Sequence, residues 1–286
     1  MSTVSWIAFK SLLKWKHSSL DQTLAHFFED EDLTRLEQLP HSKTNPFASP
    51  LTLSQRLEAV HYSWMIPYLD TLAKPDQELL IASLDPIQAG KLRSYYQLSD
   101  TLPSLNQVAK NFLQQTLYRA LLSNQKEVLP RELLPEHPLT PLLSLSKEEL
   151  ERLIDLLGLH DLAIELKRIV KSEQIKKIKS CFTESERGFL NALQKKKEPL
   201  SFARLNLEGW NGEKESLRTI LHYRGLNRLA KTLFGSHPSF LWQLSHQLDT
   251  GRAKILQKYC TDLNNEQAKR ALTDQILELI PKVSLL

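Results

Sequence analysis

Glycine is scarce in this chain, and its scarcity bears on the fold class. Only 8 of the 286 residues are glycine. Tight β-hairpins and phosphate-binding loops both depend on residues that accept a positive φ. Leucine, glutamine, lysine and glutamate are abundant instead, and each loses little side-chain freedom in a helix. The composition predicts an all-α protein, and the length predicts two to three helical subdomains.

Cysteines, long apolar runs and familiar catalytic motifs are few or missing. Cys181 and Cys260 stand far apart without CxxC spacing, which favours two free thiols in a reducing compartment. No run approaches 18 apolar residues and no signal pattern opens the chain, so we expect a cytoplasmic protein without integral membrane insertion. The missing GxxxxGK[ST], GxGxxG, GxSxG and HExxH motifs predict no cofactor, no metal site and no catalytic residues of a familiar kind.

The charges of the chain are almost balanced. The 37 basic and 33 acidic residues leave a formal charge of +4, a weak indication of an acidic partner. Basic residues are densest at 171–179 and 195–197, which predicts either a solvated helix face or a docking site for acidic protein or lipid. A nucleic-acid-binding helical repeat would need these lysines to join other bases on one face, and we predict no nucleic-acid partner.

Prolines divide the chain into blocks. Pro40, Pro46 and Pro50 mark a first linker, and four prolines within 129–141 predict an extended connector. The predicted blocks are an N-terminal helical segment at 1–45, a helical middle domain at 51–128, the connector at 129–141, and helical modules at 142–198 and 214–286.

Capping and proline signals predict individual helices. Residues 76–84 and 86–96 are expected to form a helical hairpin, because proline suits the first turn of a helix and stops the preceding one. Ser146 followed by Glu149 is typical of a capping box, and Gly158 is expected to end the helix that this box opens. Two more short helices are expected at 162–169 and 175–182.

An internal repeat is the most informative feature of the C-terminal half. Leu162-Ala163 and Leu166 recur as Leu229-Ala230 and Leu233, 67 positions later, and further apolar positions recur after 66. A repeated helical module explains this pattern. The alternative is that any two amphipathic helices can be aligned on their leucines.

The repeated stretches resemble the C-terminal modules of the flagellar motor-switch protein FliG. In that family a leucine-rich helix leads into L-A-x-x-L-K-G, which residues 162–167 and 229–235 match. Residues 80–89 are similar to the hairpin of its middle domain. The resemblance implies armadillo-like helical modules that present grooves to partner helices.

The chain departs from the FliG pattern where that family meets the stator. Phe234 stands in place of a basic residue, and the family's arginine falls on Ser185 and Gly251. Torque generation is therefore not implied, and a motor-switch rotor component remains an alternative.

A second resemblance covers a short stretch upstream. His61-Tyr62-Ser63-Trp64, with Pro67 and Leu69, resembles the H-P-S-W-L signature of the SctK/YscK family, with tyrosine in place of proline. Members of that family are accessory subunits of the type III secretion sorting platform, and bridge the cytosolic part of the inner-membrane ring to the peripheral pods. The leucine and lysine content suggests a chlamydial version.

Together these patterns predict a non-enzymatic cytoplasmic adaptor, peripheral to the inner membrane through its partners, the inner-ring cytosolic domain and a pod subunit. A helical enzyme whose site assembles only in three dimensions is a further alternative. Trp64 is expected either to fill a partner pocket or to be buried while His61 caps a helix. Trp6 and Trp15 would pack on their own domain, a partner or a membrane surface. The candidate interaction residues are His61, Trp64, Pro67, Trp6, Trp15, Phe234 and Trp242.

Overall fold

The fold is all-α, as the composition predicts. The computed structural model describes residues 2–16, 27–42, 45, 50–99, 101–123, 127–196, 202–205, 207 and 210–283. Within these ranges there are fourteen α-helices and no strand. Pro46 of the predicted first linker and Lys197 of the basic run lie outside the described residues.

The helices, in chain order, are α1 (Thr3–Lys16), α2 (Asp30–Gln38), α3 (Leu53–Glu58), α4 (Ile66–Leu69), α5 (Lys74–Ala82), α6 (Pro86–Tyr96), α7 (Gln107–Leu122), α8 (Lys147–Leu166), α9 (Ser172–Ser180), α10 (Glu184–Lys195), α11 (Lys214–Leu233), α12 (Pro238–Gln247), α13 (Thr250–Tyr259) and α14 (Glu266–Val283). Short 3-10 turns occur at Tyr62–Trp64, Arg131–Leu133 and Thr140–Ser144.

The chain divides into two compact units. Unit 1 contains residues 1–137 and 236–250, and unit 2 contains residues 138–235 and 251–286. Helices α1 to α7 and α12 therefore belong to unit 1, and the others to unit 2, apart from Thr250 at the start of α13. The segment 214–286, predicted as one module, is divided between the two units because α12 packs within unit 1.

The hairpin α5–α6 forms where proline and aspartate predict it. The carboxylate of Asp85 accepts hydrogen bonds from the backbone N–H of Ile87 at 2.9 Å and Gln88 at 3.4 Å, and so caps α6. Pro86 occupies the first turn, where its missing N–H costs nothing. Helix α5 lies two residues earlier than expected at each end, at Lys74 and Ala82.

The core of unit 1 contains buried side-chain amides as well as leucines. Gln88 is 3% exposed, and its Nε2 donates to the backbone oxygens of Leu57 at 2.8 Å and Val60 at 2.6 Å. Gln114 donates to Ser83 O at 2.7 Å. The Gln88 bonds fix the backbone around the end of α3, and the Gln114 bond satisfies the carbonyl of Ser83, the residue that follows α5. The bond from Gln88 to Val60 also fixes the backbone just before the turn at Tyr62–Trp64.

The connector 129–141 is packed, which differs from the extended segment that its prolines predict. It contains the 3-10 turn at Arg131–Leu133, and Leu129, Leu134 and Leu139 are each at most 5% exposed. The leucines between the prolines bury enough apolar surface to hold the segment against the rest of the chain. The boundary between the units follows His137, within this connector.

Helix α8 begins at the predicted capping box but does not end at Gly158. The N–H of Glu149 donates to Ser146 Oγ at 3.1 Å, and the Glu149 carboxylate accepts from the N–H of Ser146 at 2.8 Å. The helix then continues to Leu166, so the separate helix expected at 162–169 is mostly its second half. The prediction was wrong because an interior glycine costs a helix only about 1 kcal/mol, which close packing can offset.

Gly158 is required by the close approach of α8 and α11. A Cβ at Gly158 would lie 2.1 Å from the backbone oxygen of Leu221, and a Cβ at Gly225 would lie 1.8 Å from that of Ile154. Both distances are far below van der Waals contact, so neither position accepts a side chain unless the helices separate. The two contacts are reciprocal, because Gly225 follows Gly158, and Leu221 follows Ile154, by the same 67 positions.

Helices α8 and α11 run in the same direction with equivalent residues facing each other. Asp155 contacts His222, and Asp161 contacts Arg228, each pair being 67 positions apart. The second contact lies further along the chain than the first on both helices, so the two helices run parallel. The pair therefore has approximate two-fold symmetry, with the separation that the sequence repeat predicts.

The two copies of the repeat also match in their helix lengths. The first copy has helices of 20, 9 and 12 residues (α8, α9, α10), and the second has helices of 20, 10 and 10 residues (α11, α12, α13). Equivalent apolar positions are buried in both. The buried pairs are Leu162 and Leu229, Ala163 and Ala230, Leu166 and Leu233, Ile178 and Leu244, Phe182 and Leu248, and Leu190 and Leu256.

Candidate protein-interaction site

Residues 61–64, which resemble the SctK/YscK signature, are hydrogen-bonded to the C-terminal end of α12 within unit 1. The backbone N–H of His61 donates to His246 O at 2.7 Å, and Trp64 Nε1 donates to Leu248 O at 2.8 Å. The N–H of Thr250 donates to Ser63 Oγ at 3.1 Å. The last carbonyls of a helix have no partner inside it. The 61–64 turn therefore supplies partners to the C-terminal end of α12.

The imidazole of His246 is stacked between two indole rings. Its centroid lies 3.9 Å from that of Trp64 and 4.0 Å from that of Trp242, at interplanar angles of 23° and 26°. His246 Nδ1 lies 2.8 Å from Trp242 O, which only an N–H at that nitrogen can satisfy. Burial lowers the pKa of His246 to about 4, against a weaker opposing effect of this hydrogen bond. The stacked ring is neutral at pH 7.

His61 and Trp64 therefore have clear structural roles. His61 Nδ1 accepts a hydrogen bond from the N–H of Ser63 at 3.2 Å and so caps the 3-10 turn. Trp64 is half-buried, and Trp242 is 6% exposed. The structure brings these three candidate residues together around His246, whereas Pro67 is exposed in the adjoining helix α4.

The other predicted candidates lie apart from this cluster. Trp6 is 4% exposed and packs against Phe9 and Phe28, with ring centroids 6.0 and 5.8 Å away. Trp15, near the end of the same helix, is 45% exposed. Phe234, which follows α11 in unit 2, is 38% exposed. Trp15 and Phe234 thus remain accessible to a partner, while Trp6 stabilises its own unit.

The most exposed apolar pair on a long helix of unit 1 was missed by sequence reasoning. Val108 is 79% exposed and Phe112 is 66% exposed, one turn apart on α7. The residues of α7 that pack on the core lie on a different stripe, formed by Leu113, Leu117 and Leu121. The signal was available, because two apolar residues at i and i+4 outside the core stripe indicate a second apolar face.

A groove runs beside this pair. Its walls are mainly uncharged side chains that can donate or accept hydrogen bonds, and Gln107 Nε2 donates to Asn111 Oδ1 at 2.8 Å within it. The lining residues are Thr52, Leu53, Ser54, Gln107, Lys110, Asn111, Gln114 and Gln115. We call Gln107, Val108, Asn111, Phe112 and Gln115 together the α7 face. It presents an apolar ridge and hydrogen-bonding groups side by side.

Unit 2 contains a polar network across α8, α11 and α13. His222 Nδ1 lies 2.6 Å from Asp155 Oδ1, and its Nε2 lies 2.9 Å from Arg252 Nε, which can only donate. Arg252 also pairs with Glu151 at 3.0 Å. Both ring nitrogens of His222 are therefore engaged, and the network orders three helices.

A second ion pair of unit 2 joins α10 and α11. Arg218 donates to both carboxylate oxygens of Glu186, at 2.6 and 2.7 Å. Burial of Glu186 acts to raise its pKa, but the hydrogen bonds from Arg218 and Thr183 outweigh this effect and leave the pKa below its ordinary value. The bidentate geometry is the strongest form of an arginine–carboxylate contact.

The described part of the chain lacks a metal-binding cluster, a membrane-spanning helix and a disulfide. It contains no cluster of three or more His, Cys, Asp or Glu side chains placed to hold a metal ion. None of its helices combines the length and the apolar character needed to cross a bilayer. Cys181 and Cys260, both within it, form no disulfide, as their spacing predicts.

Comparisons of the chain with protein-family models, with characterised proteins and with solved structures find no match. The resemblances to FliG and to the SctK/YscK family therefore stay predictions from the residues quoted above.

Proposed function

We propose that this chain is a non-enzymatic adaptor of a type III secretion apparatus. It links the cytosolic domain of the inner-membrane ring to a pod subunit of the sorting platform, and it lies at the inner membrane through these partners. The α7 face is the observation that carries the binding role. The resemblance of residues 61–69 to the SctK/YscK signature selects the apparatus.

The α7 face has the chemistry of a helix-docking surface. Complete burial of an exposed valine or phenylalanine side chain contributes about 1.5–3 kcal/mol, and Val108 and Phe112 are both largely exposed. Aromatic residues are frequent at the energetic centres of interfaces. Residues spaced by i and i+4 match the register of an apposed amphipathic helix, and Gln107, Asn111 and Gln115 supply a hydrogen-bonding rim.

The hydrogen bonds of the turn within residues 61–69 are a second argument for the adaptor role. The side chains of Ser63 and Trp64 bond to Thr250 and Leu248 at the end of α12, and the His61 side chain caps the turn, whereas only the backbone of residue 61 bonds to His246. A family that shares this turn would keep these residue types at this spacing for the same physical reason. The signature then marks a scaffold, and the partner-binding surface lies elsewhere on the unit.

The test is binding of the purified full chain to the inner-ring cytosolic domain and to the pod subunit, each measured separately by calorimetry. We expect micromolar or tighter binding to at least one of them. Phe112→Asp should weaken that binding at least tenfold, because it places a charge in the apolar ridge. Ile87→Asp is the matched control, since Ile87 is a 75% exposed aliphatic residue on α6. Failure of the unaltered chain to bind either subunit would remove the adaptor assignment.

The repeated helices favour a second candidate, a FliG-like rotor component. The matched lengths of 20, 9 and 12 and of 20, 10 and 10 residues are the supporting observation. The same calorimetric experiment with a rotor-ring subunit as the titrant separates the two candidates. Binding to that subunit alone would favour the rotor role.

A further inference from the structure

The loop between α8 and α9 exposes an aliphatic side chain among bases. Val170 is 95% exposed, more than any other large apolar residue of the described chain. Lys167 and Arg168 precede it and Lys171 follows it, and all three are exposed. Loops usually place polar residues at such a position, so the folding of unit 2 does not explain a valine there.

The C-terminal end of α10 adds two more bases to the same edge of unit 2. Lys167 Nζ donates to the backbone oxygen of Lys196 at 2.8 Å, so the loop and the end of α10 are in contact. Lys195 and Lys196 are both exposed. We call these six residues the basic edge: Lys167, Arg168, Val170, Lys171, Lys195 and Lys196.

Acidic neighbours offset only part of this charge. Glu165 lies 3.6 Å from Arg168, and Glu278 lies 3.7 Å from Lys196. Glu173 stands in the first turn of α9. The five bases of the basic edge outnumber these three acids, so a positive surplus remains. Favourable interaction with helix dipoles accounts for bases at the ends of α8 and α10, but not for Val170.

We propose that the basic edge binds the anionic headgroups of a lipid bilayer, with Val170 entering the interfacial layer. Val170 is 95% exposed on its loop, and a fluid headgroup layer accepts an exposed apolar side chain without a preformed pocket. An acidic protein would need a matching cavity for the same side chain. The bases on both sides of Val170 are placed to meet phosphate groups as it enters.

This inference goes beyond the adaptor role, which places the chain at the membrane only through protein partners. It uses residues of unit 2, whereas the α7 face belongs to unit 1. Either proposal can therefore fail without the other.

The experiment is co-sedimentation of the full chain with vesicles of phosphatidylcholine, with and without phosphatidylglycerol. We expect binding to the anionic vesicles only, with release at high salt because exposed charges are screened. One base near an anionic surface changes the partition coefficient about fivefold. Lys171→Glu and Arg168→Glu should each lower it by at least that factor, and Val170→Asp should lower it without removing a base.

Lys254→Glu is the matched control, because Lys254 is an exposed lysine of α13 and the change in net charge is the same. It should leave the partition coefficient within about twofold of the unaltered chain, less than the effect of one base at the surface. Circular dichroism of each variant checks its fold. Equal losses with Lys254→Glu would show attraction by net charge alone and overturn the proposal. Absence of binding to anionic vesicles at low salt, together with binding to polyglutamate, would assign the edge to an acidic protein instead.

Discussion

Arg228 and Asp161 form a buried ion pair between the equivalent positions of the two helices α8 and α11. Arg228 is fully buried, and its Nε and Nη2 donate to Asp161 Oδ1 at 3.0 and 2.5 Å. Its Nη1 donates to Gln275 Oε1 of α14 at 3.0 Å. Asp161 Oδ2 is buried and has no hydrogen-bond partner among the described residues. The pair thus joins three helices while one of its oxygens stays unsatisfied.

Removal of one member of this pair should destabilise the protein strongly. We expect Arg228→Met to lower the free energy of unfolding by about 3–5 kcal/mol, because it leaves the Asp161 carboxylate buried without its partner. The double variant Asp161→Leu/Arg228→Met should recover most of that loss. Urea unfolding followed by circular dichroism measures both. Arg168→Ala, which removes an ion pair whose arginine is exposed, is the control and should change the free energy by less than about 1 kcal/mol.

The close approach of α8 and α11 at Gly158 and Gly225 leads to a second prediction. Gly158→Ala and Gly225→Ala should each lower the free energy of unfolding by roughly 2–4 kcal/mol, because the new Cβ would overlap a backbone oxygen that cannot rotate away. Thermal unfolding is the measurement.

Gly90 and Gly188 provide matched controls for this experiment. Both lie inside helices, α6 and α10, and a Cβ at either position meets nothing within 4 Å. Alanine there should raise the stability by about 0.5–1 kcal/mol, because it reduces the freedom of the unfolded chain. Equal effects at all four glycines would contradict the close approach of α8 and α11.

Stacking of the neutral His246 ring predicts a dependence of stability on pH. The pKa of His246 falls from its ordinary 6.5 to about 4 in the folded protein. Below pH 6.5 the imidazole of His246 takes up a proton in the unfolded chain, whereas in the folded chain it stays neutral until the pH approaches 4. The contribution of the neutral His246 ring to the free energy of unfolding is therefore fully present above pH 6.5, and it declines by roughly 3 kcal/mol as the pH falls to 4.

The variant His246→Phe should remove this part of the pH dependence. Phenylalanine keeps an aromatic ring between Trp64 and Trp242 but does not titrate. Urea unfolding at pH 7 and at pH 4.5 measures the difference for the variant and for the unaltered chain. If the variant loses as much stability as the unaltered chain on acidification, His246 is not its source.

Glu186 predicts a second loss of stability, at lower pH. Its pKa lies below the ordinary value in the folded protein, so its contribution is complete above the unfolded pKa of about 4.3 and is lost as the pH falls through the lowered folded value. Glu186→Gln should cost about 2 kcal/mol at pH 7 and almost nothing at strongly acid pH. Glu278→Gln, at a 62% exposed side chain, should show no such difference.

Local signals in the sequence were sufficient for several elements. Asp85-Pro86 locates the start of α6 because its capping geometry involves only neighbouring residues. The same holds for Ser146 and Glu149 at the start of α8. The separation of 67 residues between leucine motifs is also the separation of Asp161 and Arg228. Short-range chemistry and periodicity therefore predict helix starts and the repeat.

Features that depend on distant residues were not predictable in the same way. A glycine after a leucine-rich turn indicates a helix end, and only the opposing chain at Leu221 makes Gly158 a contact residue instead. Periodicity places Trp6 and Trp15 on one helix, but 4% and 45% exposure follow from what packs on each end. The position of α12 in unit 1 likewise depends on a partner, the 61–64 turn, which its own sequence does not reveal.

The adaptor role is tested most directly by photo-crosslinking in cells that assemble the secretion apparatus. A photoreactive phenylalanine at position 112 should form a covalent adduct with the inner-ring or pod subunit, because this side chain is 66% exposed on the α7 face. The same group at Tyr223, a 44% exposed residue of unit 2, should not. Adducts of equal yield at both positions, or none at position 112, would contradict the account.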